Sequence, residues 1–432
     1  MWRDSDPIVL SVLQRSRSSF KHELLVDNVA GIPILQQHGS NDDNVPVYHS
    51  RLMHELLGKT QWPSQYWEMA GMGHWFEGIM TTPSLLGFYE ETVMSPYRSK
   101  TPLVFTMRIP SSGAMGSMYG IHVDQLESPD MNGQIKVTRD PENRLWYLQM
   151  QNIHRFHLVA SPRIEMPVTL VLDDIKDPLI LKPGQYGETW YLKDALGKWM
   201  TSNEAAWKNI YQRYGRQIGA MDAILRSHGT FTVFTCSVGI KHIALQISRN
   251  LFQYFSADSL VNENCGPEGI LSSEESRNDS GNAIVLAIGD DLPPSRNPTF
   301  PIHASRGALV LSTACAHPLF GSGTEHGFQE RRQYASEYTY EAGMGALFLR
   351  PLENERLELI VWGADIFGLE QAARLVPTLT GAGQSEFLVL SQNCCWKGHS
   401  GLYAAGHFNK FWQISLGSYI SKEPAVYENG WQ

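Results

Sequence analysis

Along the first hundred residues the apolar positions change period twice. Ile32-Pro33-Ile34-Leu35-Gln36 is a short apolar run bounded by Gly31 and Gly39, the pattern of a strand buried on both faces of a parallel sheet. Val45, Tyr48, Leu52 and Leu56 then recur at spacings of three, four and four, which predicts a helix with these side chains on its buried face and Gly58 just beyond its end. Tyr66 to Met69 is a second strand, followed by Ala70-Gly71-Met72-Gly73, a loop flexible enough to aim His74. Thr82 and Pro83 read as the N-cap and first position of another helix, with Leu85, Leu86, Tyr89 and Val93 as its buried stripe and Pro96 as its stop. Residues 1–98 therefore alternate strand and helix.

From 99 to 200 the period becomes two. Gln134 to Thr138 and Ile153 to Leu158 alternate, Val168 to Leu172 and Thr189 to Leu192 continue the series, and turn clusters such as Asp130-Met131-Asn132-Gly133 and Asp140-Pro141-Glu142-Asn143 separate them. This predicts a sandwich-like β domain. Residues 201–432 return to a mixed α/β pattern. Phe231 to Phe234 is a strand, and Ile240, Ile243, Ala244, Ile247, Leu251, Tyr254 and Phe255 form a helical stripe. Ala283 to Ile288 and Phe387 to Leu390 are further strands, and Ala346 to Leu349 pairs with Leu357 to Val361 across Glu353-Asn354-Glu355 as a hairpin. Asn262 to Asn282 is polar and reads as a surface loop or insertion. The predicted class is α/β plus β.

Composition narrows the function. A chain of 432 residues with formal net charge −9 has no broad basic surface for a phosphate backbone, and no apolar run approaches the ~18 residues that span a bilayer, so neither nucleic acid nor membrane is an expected partner. Met1 to Pro7 has no apolar core with a cleavage site, so no signal peptide is read, and secreted and cytoplasmic locations both stay open. Cys236, Cys265, Cys315, Cys394 and Cys395 are too few and too irregular for a disulfide scaffold, and they leave the redox compartment open. Asn278-Asp279-Ser280 is a single acceptor sequon.

The chemistry concentrates in His38-Gly39-Ser40-Asn41-Asp42-Asp43-Asn44-Val45-Pro46 and in Gly71-Met72-Gly73-His74. A carboxylate just past a buried parallel strand, and a histidine on a Gly-rich loop after the next, lie at the edge where open α/β sheets hold ligands. The order acid then histidine is that of an α/β-hydrolase triad whose nucleophile comes earlier in the chain. Taken singly, Asp42 could cap the next helix and His74 could be a packed surface residue. Their joint placement favours the triad.

The motif His38-Gly39-x-x-Asp42-Asp43-Asn44-Val45-Pro46, with Ser50 four residues on, resembles the acid-bearing loop of the prolyl oligopeptidase family of serine peptidases, dipeptidyl peptidases included. The resemblance covers roughly residues 20 to 95 and implies Asp42 as triad acid and His74 as triad histidine, with Asp43 and Asn44 supporting the turn. Peptide or ester bonds would be the substrates, and no cofactor or metal is implied. Asn152 to Leu158 and Met344 to Leu357 resemble segments of the β-sandwich and α/β extensions that follow the catalytic domain in large fungal hydrolases of this type and related bacterial ones.

One part of the pattern is missing. No Gly-x-Ser-x-Gly elbow occurs: Gly116-Ser117-Met118-Tyr119-Gly120, Phe320-Gly321-Ser322-Gly323 and Gly398-His399-Ser400-Gly401 are out of register and follow the acid and histidine. The nucleophile is therefore expected in a missing N-terminal half of the hydrolase, leaving this chain inactive alone and the faces of residues 1–98 uncovered. The alternatives are a non-catalytic fragment or pseudo-hydrolase acting as a binding module, or an esterase. Asp173-Asp174 and Asp290-Asp291 could hold a cation but read more simply as turns, and His303, His317 and His326 lack metal-ligand spacing. Cys394-Cys395-Trp396 could be reactive or paired. Trp2, Trp62, Trp67 and Trp75 could line a cleft, although cores use tryptophan more often. Gly321-Ser322-Gly323 and Gly381-Ala382-Gly383 lack the third glycine of a dinucleotide fingerprint.

Overall fold

Proline and glycine fix where the first strand begins. Pro33 has no N–H to give a ladder and Ile32 is 54% exposed, so the strand runs Leu35–Gly39 (β1), three residues later than the apolar run predicts. The computed structural model describes residues 6–94, 101–162, 164–173, 179–180, 186–263, 265, 280–314, 333–378 and 383–422. Before β1, helix α1 (Pro7–Ser16) starts at Asp6, whose side chain accepts from the Ile8 amide at 2.7 Å. After β1 come α2 (Tyr48–Gly58), β2 (Gln65–Met69) and α3 (Pro83–Met94). β1 and β2 pair in parallel, Leu35 opposite Gln65 and Gly39 opposite Met69.

The helices form as predicted, but their stripes are not covered. On α2 only Leu57 is buried, while Tyr48 and Leu52 are exposed; on α3 Leu86, Tyr89 and Val93 are exposed. Two strands cannot bury two helix faces, and among the described residues no other strand joins this pair. Helix α1 goes elsewhere: Val9 and Val12 belong to the core of the C-terminal region.

The described residues between 101 and 202 form a β-sandwich of two five-stranded sheets. Its strands are β3 (Val104–Ile109), β4 (Ser117–Met118), β5 (Ile121–Leu126), β6 (Gly133–Asp140), β7 (Leu145–Gln151), β8 (Ile153–Leu158), β9 (Thr169–Leu172), β10 (Leu179–Ile180), β11 (Trp190–Lys193) and β12 (Trp199–Ser202). The sheet orders are β10-β9-β7-β6-β3 and β12-β11-β8-β5-β4. Alternation in β6 and β7 sends Ile135, Val137, Trp146, Leu148 and Met150 inward to meet Ile121, Phe156 and Leu158 of the other sheet. Asp173 is a structural staple here rather than a cation ligand: it accepts from the Met150 amide and from Trp199 Nε1, at 2.7 and 2.8 Å.

The C-terminal region contains strands β13 (Thr230–Thr235), β14 (Ser259–Asn262), β15 (Ser280–Ile288), β16 (Ile302–Ser305), β17 (Ala308–Ala314), β18 (Gln333–Thr339), β19 (Gly345–Pro351), β20 (Leu357–Gly363), β21 (Phe387–Leu390), β22 (Leu402–Gly406) and β23 (Tyr419–Ile420). Eight of them form a mixed sheet in the order β14-β13-β15-β20-β19-β21-β22-β23, and β16-β17-β18 form a small antiparallel sheet. Every residue of β19 and β20 is buried, and their predicted hairpin turns at Asn354 and Glu355, both at positive φ. The helix Lys241–Phe255 buries the predicted Ile243, Ala244, Ile247 and Leu251, and Ile366–Ala373 packs on β19 and β20. Arg213 and Glu386, each with a 4% exposed side chain, meet at 2.8 Å beneath this sheet. Cys236 and Cys265 are joined in a disulfide, a pairing that spacing did not reveal, while Cys394 and Cys395 are free. The fold is α/β plus β. Pro96, Asp174, Cys315, His317, His326, Phe320 to Gly323, Gly381-Ala382 and most of the 262–282 stretch with its sequon lie outside the described residues.

Candidate functional site

Two loops leave the C-terminal ends of β1 and β2 side by side, and backbone bonds join them. The Ser40 amide donates to Met69 O and the Asn41 amide to Met72 O, both at 2.9 Å, while Ser40 Oγ accepts from the Gly71 amide at 2.9 Å. Gly39 makes this approach possible, because a Cβ there would stand 2.4 Å from Met72 O and 2.6 Å from Gly73 O. Farther along, Gln37 Nε2 donates to Ile79 O at 2.9 Å and Thr82 Oγ1 to Gln37 Oε1 at 2.5 Å, tying the end of the second loop back to β1.

This arrangement brings Asp42 and His74 together across 32 residues of chain. His74 Nδ1 lies 2.8 Å from Asp42 Oδ2. A carboxylate can only accept, so Nδ1 carries the hydrogen and Nε2 is left as the basic nitrogen. Asp42 Oδ1 accepts the Asn44 and Val45 amides at 3.0 and 2.8 Å, which fixes the carboxylate within its own turn. Burial alone would push this carboxyl up, but the Val45 amide, His74 and the Asn44 amide outweigh it and hold it at about 2. The Asp42 side chain is 6% exposed and that of His74 26%, so the acid is sheltered and the base accessible. Of the two expected supporting residues, Asn44 acts through its backbone amide, and the Asp43 side chain makes no hydrogen bond among the described residues.

Sequence reading did not assign a role to His38. Its Nε2 is 3.0 Å from Val45 O and 3.2 Å from Asp42 Oδ2, and its Nδ1 is 2.7 Å from Ser50 Oγ. The carbonyl requires Nε2–H, so Ser50 donates to Nδ1 and the motif's first and last residues brace the acid from behind. Arg51 on α2 forks onto Glu68 of β2, with Nε 2.8 Å from Oε2, and hydrogen bonds from Arg51 and Tyr66 hold Glu68 at about 2. Trp75 is 80% exposed and meets the His74 ring edge-on at 5.0 Å, so it flanks the base at the surface rather than packing in a core.

An Asp–His contact is not by itself diagnostic. His157 Nδ1 lies 2.8 Å from Asp124 Oδ2 in the sandwich, on neighbouring antiparallel strands. What separates the first pair is its place on paired loops at the carboxyl ends of parallel strands. Among the described residues no serine hydroxyl is within hydrogen-bond distance of His74 Nε2: Ser117 starts β4 of the sandwich and Ser400 is buried in the C-terminal region. No group of three or more His, Cys, Asp or Glu positioned for a metal occurs among the described residues, and no helix there is long and apolar enough to cross a membrane. Asp290 and Asp291 accept from Tyr340 OH and Ser237 Oγ, each at 2.6 Å.

No protein family model matches this chain. It is similar to an uncharacterized secreted protein of Arthroderma benhamiae, 42% identical over 424 residues that make up 98% of this chain and 43% of that protein. The chain thus spans less than half the length of the curated relative it matches.

Proposed function

We propose that residues 6–94 supply the acid and the base of a serine hydrolase of prolyl oligopeptidase type, acting on peptide or ester bonds. The observation that carries this reading is the 2.8 Å bond from His74 Nδ1 to Asp42 Oδ2 at the mouth of two parallel strands. In this mechanism Nε2 of His74 takes the proton from a serine hydroxyl as its oxygen attacks the carbonyl carbon. It then returns that proton to the leaving amine or alcohol. Water repeats the sequence on the acyl-enzyme. Asp42 keeps the tautomer and stabilises the imidazolium, a role suited to a carboxyl held at about 2 and ionised at any physiological pH.

The serine comes from polypeptide outside these 432 residues, since no nucleophile elbow occurs among them. The uncovered stripes of α2 and α3 support that source, because further parallel strands of the same sheet would cover them. The relative's greater length leaves room for such a segment, and the Cys236–Cys265 bond suits the oxidising compartment that the relative's secretion implies.

Fluorophosphonate labelling tests the reading. The chain alone should not label, whereas a longer product that adds a strand-Gly-x-Ser-x-Gly-helix segment should label and should lose labelling with His74→Ala or Asp42→Asn. Labelling of the longer product unaffected by either substitution refutes the assignment; labelling of this chain alone refutes an external serine.

A further inference from the structure

A cavity of about 460 Å³ opens beneath α1 in the C-terminal region, within the ~300–1,000 Å³ range of small-molecule sites. Its apolar wall is made by Leu13 of α1, Leu375, and the buried Leu388, Leu390 and Leu402 of the large sheet, with the polar Gln371, Gln384 and His399 also on its lining. Arg17 and Arg374 also line it, both exposed, and neither forms an ion pair among the described residues. Among the described residues no aspartate or glutamate lines the cavity, although the chain as a whole is acidic at −9. The Arg17 stem lies against Gly383, where a Cβ would stand 2.4 Å from Arg17 Cγ. Cys394 and Cys395, both free, also line this cavity.

A cavity with a leucine wall, two guanidinium groups at its border and no carboxylate among the described lining residues is complementary to an anion with an apolar tail. We infer that this cavity binds an unbranched aliphatic monocarboxylate, its tail among the leucines and its carboxylate on Arg17 and Arg374. Guanidinium forks match a carboxylate in charge and in plane. This site is independent of the Asp42–His74 reading, which can fail without affecting it.

The test is calorimetric titration of the full chain with octanoate, decanoate, dodecanoate and tetradecanoate below their micellar concentrations, with dodecanol as the uncharged comparison. Affinity should rise about fourfold per methylene until the tail fills the cavity and then level off. Arg17→Gln with Arg374→Gln should weaken dodecanoate about tenfold or more and leave dodecanol unchanged, which also establishes that the double variant is folded. Leu388→Trp, which fills the cavity, should abolish binding of both, and bound dodecanoate should slow alkylation of Cys395. No saturable binding by wild type, equal affinity for dodecanol and dodecanoate, or dodecanoate affinity untouched by the double arginine substitution each overturns the inference.

Discussion

Gly39→Ala places a methyl group where two backbone carbonyls already stand. Its carbon would lie 2.4 Å from Met72 O and 2.6 Å from Gly73 O, whereas carbon–oxygen contacts settle at about 3.3–3.6 Å, so the loops must part by about 1 Å. No flexible side chain can absorb the shift, because both obstructing atoms are main chain. The 2.8 Å bond between His74 and Asp42 would open past hydrogen-bonding range, and the Asn41 amide would lose Met72 O. Overpacking of this kind costs about 1–3 kcal/mol, which corresponds to roughly 5- to 150-fold faster exchange of the amides in the loop. Hydrogen exchange resolved to Ser40 and Asn41 measures it, with Gly58→Ala as the control, since nothing lies within 4 Å of a Cβ there. Equal exchange at Ser40 and Asn41 in wild type and Gly39→Ala would falsify the claim that Gly39 sets the spacing of the two loops.

Limited proteolysis should cut within residues 6–94 before it cuts the sandwich or the large sheet, because α2 and α3 leave their stripes uncovered; equal resistance throughout would contradict that. Acid should loosen the β1–β2 unit in a defined window: Asp42 and Glu68 sit at about 2 when folded, below their unfolded values of about 4. Their stabilisation is therefore complete above pH 4 and lost as pH falls through 2, which the Met69 methyl resonance can follow between pH 5 and 2. Glu386→Gln leaves Arg213 buried beside a neutral partner and should destabilise the C-terminal region by about 3–5 kcal/mol in urea, a value near zero being inconsistent with the buried pair. Reducing Cys236–Cys265, 29 residues apart, should cost about 3–4 kcal/mol of stability on loop-closure grounds, readable as a fall in the unfolding midpoint under reductant.

Local chemistry was legible in the sequence where a residue's job depended on its near neighbours. Thr82 caps α3 and accepts from the Leu85 amide at 3.4 Å, the predicted stripe of Lys241–Phe255 is buried as far as Leu251 while Tyr254 at its end is exposed, and the β19–β20 hairpin turns at the predicted residues. The meeting of Asp42 with His74 was legible for the same reason, each standing just past its own strand. Periodicity could say that α2 and α3 have apolar sides, but burial depends on neighbouring strands that a helix's own pattern does not contain. The bracing of Asp42 by His38, the space made by Gly39 and the Cys236–Cys265 bond are contacts between segments brought together by the fold, and no spacing rule encodes them.

Helix α1 joins parts of the molecule that lie far apart along the chain. Val9 and Val12 enter the C-terminal core against β22 and β23, and Arg15 donates to Pro110 O and Pro129 O of the sandwich at 2.6 and 2.5 Å. The partners of its apolar side are nearly four hundred residues downstream, so a ribosome releases this helix long before it can dock. Contacts of such separation form late and slowly. Until then Val9, Val12 and Leu13 are unpartnered, and their seat on the large sheet is open to a competitor. Docking of α1 should accordingly be a late folding event, and one that also builds a wall of the aliphatic cavity.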